Sequence, residues 1–193
     1  ARAHVRLGQL LLKLSDDRAA ARLHFDAALR LVPDDPEALV QLAGLCRLDG
    51  EHLRALRLLD VGSGGGLPGV VIAIGCPDID VTCVDAVGKK AAFVQQVAGA
   101  LGLSNLHGRH GRVEAIAGPF DVVTSRAFAS LADFTAWSDG ALAEGGVWLA
   151  MKGRRPDDEI AALPPAVTVF HVEPLTVPGL EAERCLVWLR RAG

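Results

Sequence analysis

A basic surplus is missing from this sequence. Twenty lysines and arginines stand against 23 aspartates and glutamates, for a formal net charge of -3. There is no global positive field with which to grip nucleic acid by charge alone, so any RNA contact has to be a local patch. Cysteine is scarce: Cys46, Cys76, Cys83 and Cys185 form no C-x-x-C pair and have no histidine at metal-ligand spacing. That argues against a metal site and for buried free thiols in a reducing cytosol. No apolar run approaches the ~20 residues that span a bilayer, and a signal-peptide pattern is absent. A cytoplasmic protein is expected. There is no initiator methionine before Ala1, which reads as a fragment or a trimmed chain. What the sequence does have is apolar material. With 50% of 193 residues hydrophobic, it can build one ordinary domain around a real core, plus a small extra piece.

The stretch Leu58-Leu59-Asp60-Val61-Gly62-Ser63-Gly64-Gly65-Gly66-Leu67-Pro68-Gly69 reads as strand, tight turn and helix start. Glycines let a backbone approach a ligand closely and adopt positive φ, and the N–H groups of the following helix face what is bound. Gly64 to Gly69 fits the dinucleotide pattern G-x-G-x-x-G, a weak match in a glycine-rich chain. Asp60 tilts the choice: an acidic residue at the strand end just before the first glycine resembles the first motif of S-adenosylmethionine (AdoMet) methyltransferases, and a pyrophosphate would find that carboxylate repulsive. Asp85 ends the apolar run Val81-Thr82-Cys83-Val84 about 20 residues beyond the glycines, the spacing at which either cofactor's ribose is held. It supports nucleoside binding without choosing the nucleoside.

Residues 1–56 have Leu/Ala-rich helical spacing and no strand-like alternation. Leu7, Gly8, Leu11, Ala21, Phe25, Ala28 and Pro33 are similar to the pattern of a tetratricopeptide repeat, with a period of ~34 residues, and Leu39, Leu42, Ala43, Gly50 and Ala55 restart it. The second repeat is cut short. About three repeats are usually needed for such an array to stand alone, so this one and a half leans on the following domain or on a partner.

From Arg57 strands alternate with helices, the mark of a parallel sheet covered on both faces. Strands are expected at Arg57 to Val61, Asp80 to Val84, Asn105 to His107, Asp121 to Thr124 and Val147 to Met151. Helices are expected at Pro68 to Ile74, Gly88 to Leu101, Val113 to Ala117 and Leu131 to Ala143. Val167 to Val172 and Cys185 to Arg190 are strands with no helix between them, hence antiparallel neighbours. The fold class is α/β: a mostly parallel Rossmann-like sheet closing in antiparallel strands, as in class I AdoMet-dependent methyltransferases, over residues 57–193, preceded by a short all-α segment over 1–56.

Through LDVGSGGGLPGVVIAI, VTCVDAVGKKAAFVQQV, GRVEAI, FDVVTSRAFASL, LAMKG and ERCLVWLR, residues 57–193 closely resemble the bacterial ribosomal RNA small-subunit methyltransferase G family, also called glucose-inhibited division protein B. The last four motifs make the match specific. The resemblance implies AdoMet-dependent methylation of guanine N7 in 16S rRNA. It places cofactor contacts on Gly62, Leu67, Val113, Glu114 and Arg126, beside Gly64 and Asp85 from the loop and strand end. The family's aromatic, Asn-containing N-terminal segment is replaced here by the repeat-like piece, which weakens the implied RNA engagement more than the cofactor site.

Guanine N7 carries an in-plane lone pair and no proton, so its methylation needs no general base. No catalytic acid or base is nominated. The protein's share is alignment, which can be worth ~7–11 kcal/mol. Lys89, Lys90, Arg109, His110, Arg112, Lys152, Arg154 and Arg155 fall near strand ends or helix starts, as a phosphate-tracking patch would. His110 has no second ligand for a metal. Three other readings stay open: a methyltransferase of a small molecule or protein recruited by the helical piece, a noncatalytic AdoMet-binding scaffold, and a nicotinamide oxidoreductase, which Asp60 disfavours.

Overall fold

The computed structural model describes residues 1–15, 17–32 and 56–193. The chain divides into two compact units, Ala1–Arg54 and Ala55–Gly193. In the first, α1 (Arg2–Ser15) packs on α2 (Arg18–Leu31). Val5, Ala21, Phe25 and Ala28 are its buried core. Gly8 is glycine for a packing reason: a Cβ there would stand 2.5 Å from Phe25 Cε1. Asp17 starts α2 by accepting a hydrogen bond from Ala20 N at 3.0 Å, the satisfied donor of an N-cap. The second half of the expected repeat, with Pro33, Leu39, Leu42, Ala43, Gly50 and Ala55, lies outside the described residues, as does Cys46.

The second unit is a seven-stranded sheet. Its strands are β1 (Leu56–Val61), β2 (Ile79–Asp85), β3 (Leu106–His110), β4 (Phe120–Arg126), β5 (Leu142–Lys152), β6 (Val167–Leu175) and β7 (Arg184–Arg191). Their order is β3-β2-β1-β4-β5-β7-β6. The first five are parallel, and β7 runs antiparallel to both β5 and β6. The crossovers carry α3 (Gly69–Gly75), α4 (Gly88–Leu101) and α5 (Leu131–Ser138), and α6 (Asp157–Ala161) follows β5. Among the described residues no helix is long and apolar enough to cross a membrane.

Alternation along β1 separates two cores. Leu58 joins Ala73, Val81, Cys83, Val94, Ala98 and Leu106 on the side of α3 and α4. Leu59 joins Phe120, Val123, Leu131, Phe134, Trp148 and Leu189 on the side of α5. Trp148 is buried with its indole N–H satisfied by Ser138 Oγ at 3.0 Å. The Arg191 guanidinium ties the end of β7 to the α5–β5 turn, with Nε 2.8 Å from Asp139 Oδ1 and Nη2 2.7 Å from Asp139 O.

Several expectations are corrected. The helix expected over Val113 to Ala117 is a single 3-10 turn, Val113–Ala115, because Ile116 turns into the core. The helix expected to reach Ala143 ends at Ser138, and β5 starts at Leu142 rather than Val147. Gly145 there adopts φ 72°, close to the register shift between β4 and β5. Strand β3 extends to His110. Pro68 caps α3 instead of lying within it. Of the cysteines expected to be buried, Cys83 and Cys185 are, whereas Cys76 is exposed at the end of α3.

Helix α4 lies close on β3 because residue 108 has no side chain: a Cβ there would collide with Ala91 O and stand 3.1 Å from Gln95 N. These are backbone atoms, so the helix itself would have to move. Gly108→Ala is expected to cost about 1–3 kcal/mol in denaturant unfolding. The three tryptophans, Trp137, Trp148 and Trp188, all belong to this unit and report on it.

Candidate functional site

The loop between β1 and α3 sits at the carboxyl edge of the parallel strands, where open α/β sheets bind ligands. Gly62 N and Ser63 N donate to Val84 O at 2.9 and 3.2 Å. Gly62, Gly64 and Gly66 have φ of 64°, 59° and 88°, the left-handed region that favours glycine. Their hydrogens face different things. A side chain at Gly62 would strike Phe128, one at Gly66 would strike Val70, and one at Gly69 would strike Cys83. At Gly64 the nearest heavy atom to an added Cβ is Gly62 O at 4.0 Å, and at Gly65 nothing lies within 4 Å. The loop is therefore packed at both ends and open in the middle, a cradle that a side chain would fill.

Asp85 holds the loop in place. Its Oδ2 accepts from Gly64 N at 3.0 Å and its Oδ1 from Val87 N at 2.8 Å, with Lys90 Nζ 3.7 Å from Oδ2. Since a carboxylate has about four acceptor positions, two remain for a ligand. Beside it is a cavity of about 220 Å³ lined by Val61, Gly62, Val84, Asp85, Ala86, Gly111, Arg112, Val113, Glu114, Phe128 and Trp137. Gly62, Asp85, Val113 and Glu114 thus meet in one place, and Gly64 touches it through Asp85. Leu67 lines neither this cavity nor the next and is 42% exposed.

Arg126 closes β4 and lines a second cavity of about 620 Å³ with Ala127, Met151, Lys152, Gly153, Leu175, Val177, Arg184 and Cys185. Ala127 holds φ 51°, a conformation that costs a non-glycine residue ~1–3 kcal/mol, between Arg126 facing one cavity and Phe128 facing the other. Phe128 and Trp137, in edge contact at 5.9 Å, are lining residues that the sequence reading did not single out. Phe128 sits two residues beyond Arg126 in a motif already noted, but nothing in the spacing marks Trp137. Arg184, in the closing motif, was likewise unassigned.

Of the cations expected to track phosphate, Arg112 lines the cavity of about 220 Å³ and Lys152 the one of about 620 Å³. Lys89 and Lys90 open α4, and Arg109, His110 and Arg112 are on or just after β3; Lys152, Arg154 and Arg155 follow on the β5 side. Lys152 is committed internally: its Nζ donates to Ala129 O at 3.0 Å and to Glu159 Oε1 and Oε2 at 3.0 and 2.8 Å, using all three protons. Arg155 pairs with Asp157 at 2.7 Å, and His110 Nε2 lies 3.2 Å from Ala86 O. Among the described residues no group of three potential ligands is arranged for a metal ion.

Asp60 points to the α3 side of β1 and is completely buried. Its Oδ2 accepts from Gly69 N at 2.9 Å and lies 3.9 Å from Cys83 Sγ. Burial raises its pKa from 3.8 to about 7, against the opposing pull of the Gly69 amide and the Arg126 charge. Burial and the neighbouring Asp60 push the Cys83 thiol up as well. The folded protein keeps the Asp60 proton to higher pH than the unfolded chain does, so this residue makes the fold less stable as pH rises from about 4 to about 7. Tryptophan-detected melting temperature is expected to fall by on the order of 5 °C more over that window in the native protein than in Asp60→Asn. Equal pH slopes in the two would refute a titrating Asp60.

The comparisons with known proteins bear on this geometry. The sequence model of the family described as rRNA small subunit methyltransferase G matches residues 42–187, which takes in residues 42–56 of the stretch read as a repeat. A protein named ribosomal RNA small subunit methyltransferase G from Acidovorax ebreus (strain TPSY) is 76% identical over 139 residues, 72% of this chain and 61% of the relative. One so named from Albidiferax ferrireducens is 65% identical over 153 residues, 79% of this chain and 68% of the relative. The chain spans about three fifths of the length of such relatives, 61% and 59% in two Acidovorax proteins. In fold it is similar to TrmN from Thermus thermophilus, with TM-score 0.59, 20% identity, and coverage of 89% of this chain and 49% of that one. It is also similar to a predicted O-methyltransferase, protein Atu636, from Agrobacterium tumefaciens, with TM-score 0.59, 21% identity, and coverage of 72% and 76%. The fold is that of class I methyltransferases, and by the match over residues 42–187 the chain belongs to the rRNA small subunit methyltransferase G family.

Proposed function

We propose that the protein is an AdoMet-dependent methyltransferase of guanine N7 in small-subunit (16S) rRNA, working in the cytoplasm, with its action on RNA reduced by an atypical N-terminus. The observation that carries this reading is the pair of unlike cavities on either side of the β4 end. One, of about 220 Å³, combines Asp85, the glycine loop and the Phe128–Trp137 walls. The other, of about 620 Å³, sets Arg126 and Arg184 around Met151, Leu175 and Val177. The lining of the first suits part of a nucleoside cofactor, and that of the second a purine with its phosphates.

The residues present fit AdoMet. Gly64 and Gly65 leave open space where an added Cβ would meet no neighbour closer than 4.0 Å, Asp85 keeps lone pairs for ribose hydroxyls, and Glu114 and Val113 border the same cavity. When bound, AdoMet supplies the electrophilic methyl group. Gly62, Gly64 and Asp85 fix the cofactor's position, Leu67 adds an apolar edge, and Arg126 offers a guanidinium to a carboxylate or a phosphate. Lys89, Lys90, Arg109, Arg112, Arg154 and Arg155 extend the positive edge for RNA. Lys152 contributes its charge from a fixed position.

Residues 1–32 form a tetratricopeptide-like helix pair in this proposal, supported by the small-on-large contact of Gly8 with Phe25. It offers a surface to a protein partner.

Gly64→Val, which adds bulk to the open centre of the cradle at φ 59°, is expected to abolish calorimetric AdoMet binding while α1 and α2 stay helical. Unchanged affinity would remove the loop from the site. At saturating cofactor, the single-turnover rate is expected to be nearly flat from about pH 6.5 to 8.5, because N7 has no proton to lose; a steep bell would point to another acceptor atom. Labelled methyl transfer to undermethylated small subunits tests the whole reading. The chain as given should bind AdoMet but methylate weakly, and should recover activity when residues 1–56 are replaced by a family-type segment. Inactivity of both forms would favour a small-molecule or protein acceptor.

A further inference from the structure

Two polar atoms in the glycine loop region have no partner. Among the described residues, Asp60 Oδ1 and Ser63 Oγ are buried without a hydrogen bond, in residues that are 0% and 3% exposed. The other oxygen of Asp60 has one N–H donor, from Gly69, and a long thiol contact from Cys83. An ionised carboxylate needs more than this. With about four acceptor positions and one good donor, the charged form loses its hydration without replacement, whereas the neutral acid loses far less. The groups facing it are the Gly69 amide from α3, the uncharged Cys83 thiol from β2 and, acting through its charge, Arg126 at the end of β4.

We propose that Asp60 is a neutral acid in the free protein and that cofactor binding in the adjacent cradle drives its proton into solvent. This rests on the AdoMet reading above. One O–H bond breaks, the electron pair stays on Asp60, and buffer takes the proton; nothing is oxidised or reduced. The driving force is Coulombic. AdoMet would bring a sulfonium and an ammonium charge into a low-dielectric site, and added positive charge near a buried acid favours its ionised form. Ser63 Oγ, which can rotate its proton, is a further donor available within the same loop. The value of about 7 for the free protein puts the effect in the physiological range. S-adenosylhomocysteine lacks the sulfonium charge, so it should drive less ionisation, and Asp60 then favours the methylated cofactor over its product as pH rises.

Calorimetric titration of the full chain with AdoMet at about pH 6, in buffers of differing ionisation heat, tests this. The expected result is release of close to one proton per cofactor, fading above about pH 8. AdoMet affinity should rise by up to about tenfold per pH unit below the free-protein midpoint, and S-adenosylhomocysteine should release fewer protons. Asp60→Asn should release none. Should that variant bind too weakly to titrate, Cys83→Ala keeps the carboxyl but removes a donor, and should move the midpoint of release to higher pH. A binding heat independent of buffer at pH 6, equal release in Asp60→Asn, or an unmoved midpoint in Cys83→Ala would overturn the proposal while leaving the cofactor reading intact. Absence of AdoMet binding by the native chain at every pH would overturn both.

Discussion

The cavity of about 220 Å³ depends on Asp85. Its carboxylate takes the Gly64 and Val87 amides at 3.0 and 2.8 Å, and its main-chain carbonyl takes Gly111 N at 3.1 Å. One residue thereby anchors the glycine turn, the entry to α4 and the turn that carries Arg112, Val113 and Glu114. Hydrogen bonds from amides to an ionised acceptor are worth about 1.5–3 kcal/mol each, and this carboxylate is almost fully buried. A glycine-rich loop loses more conformational freedom on ordering than any other sequence. The hold therefore has to come from outside the loop, and the end of the neighbouring strand is the nearest rigid point.

Those contacts explain what the sequence could reveal. Strand β1, strand β2 and the helix Gly88–Leu101 are written in local periodicity, and their pattern survives folding almost to the residue. Spacing marked Asp85, because a βαβ unit fixes how far apart in sequence two strand ends must be, whereas Gly62, Val113 and Glu114, which line the same cavity, were named through the family resemblance and not through any spacing. The start of β5 was hidden because Glu144-Gly145-Gly146 reads locally as a break. Pairing with β4 overrides it, with Gly145 taking the positive φ that the irregular register demands. Trp137 reaches the cavity through Phe128 and an intervening turn, a tertiary contact with no sequence period. Asp85 as a clamp on Gly64, rather than as a ribose holder alone, was equally out of reach, since a motif gives separation along the chain and not direction in space.

Charge is the property least legible from sequence. Lys152 follows a strand that ends at the ligand edge, as a phosphate-binding lysine would, yet all three of its protons are used on Glu159 and Ala129. Glu159 also accepts Leu131 N at 2.7 Å, so the pair ties α6 and the β5 end to the start of α5. That ion pair is partly buried, and breaking it to reach for a phosphate would strand a carboxylate. Lysine in this place shapes the larger cavity's wall. Arg126 and Arg184, which line that cavity without comparable internal commitments, are better placed to meet an anion entering it.

The two acids at the ends of β1 and β2 divide the electrostatic work through hydrogen bonding. Both are nearly or fully inaccessible to solvent. Asp85 receives two backbone N–H groups and a nearby ammonium. Asp60, on the neighbouring strand, receives one amide and a long thiol contact, and its other oxygen receives nothing. That shortage of donors is what lets burial hold the Asp60 proton, with only the Gly69 amide, the Arg126 charge and the Cys83 thiol opposing it.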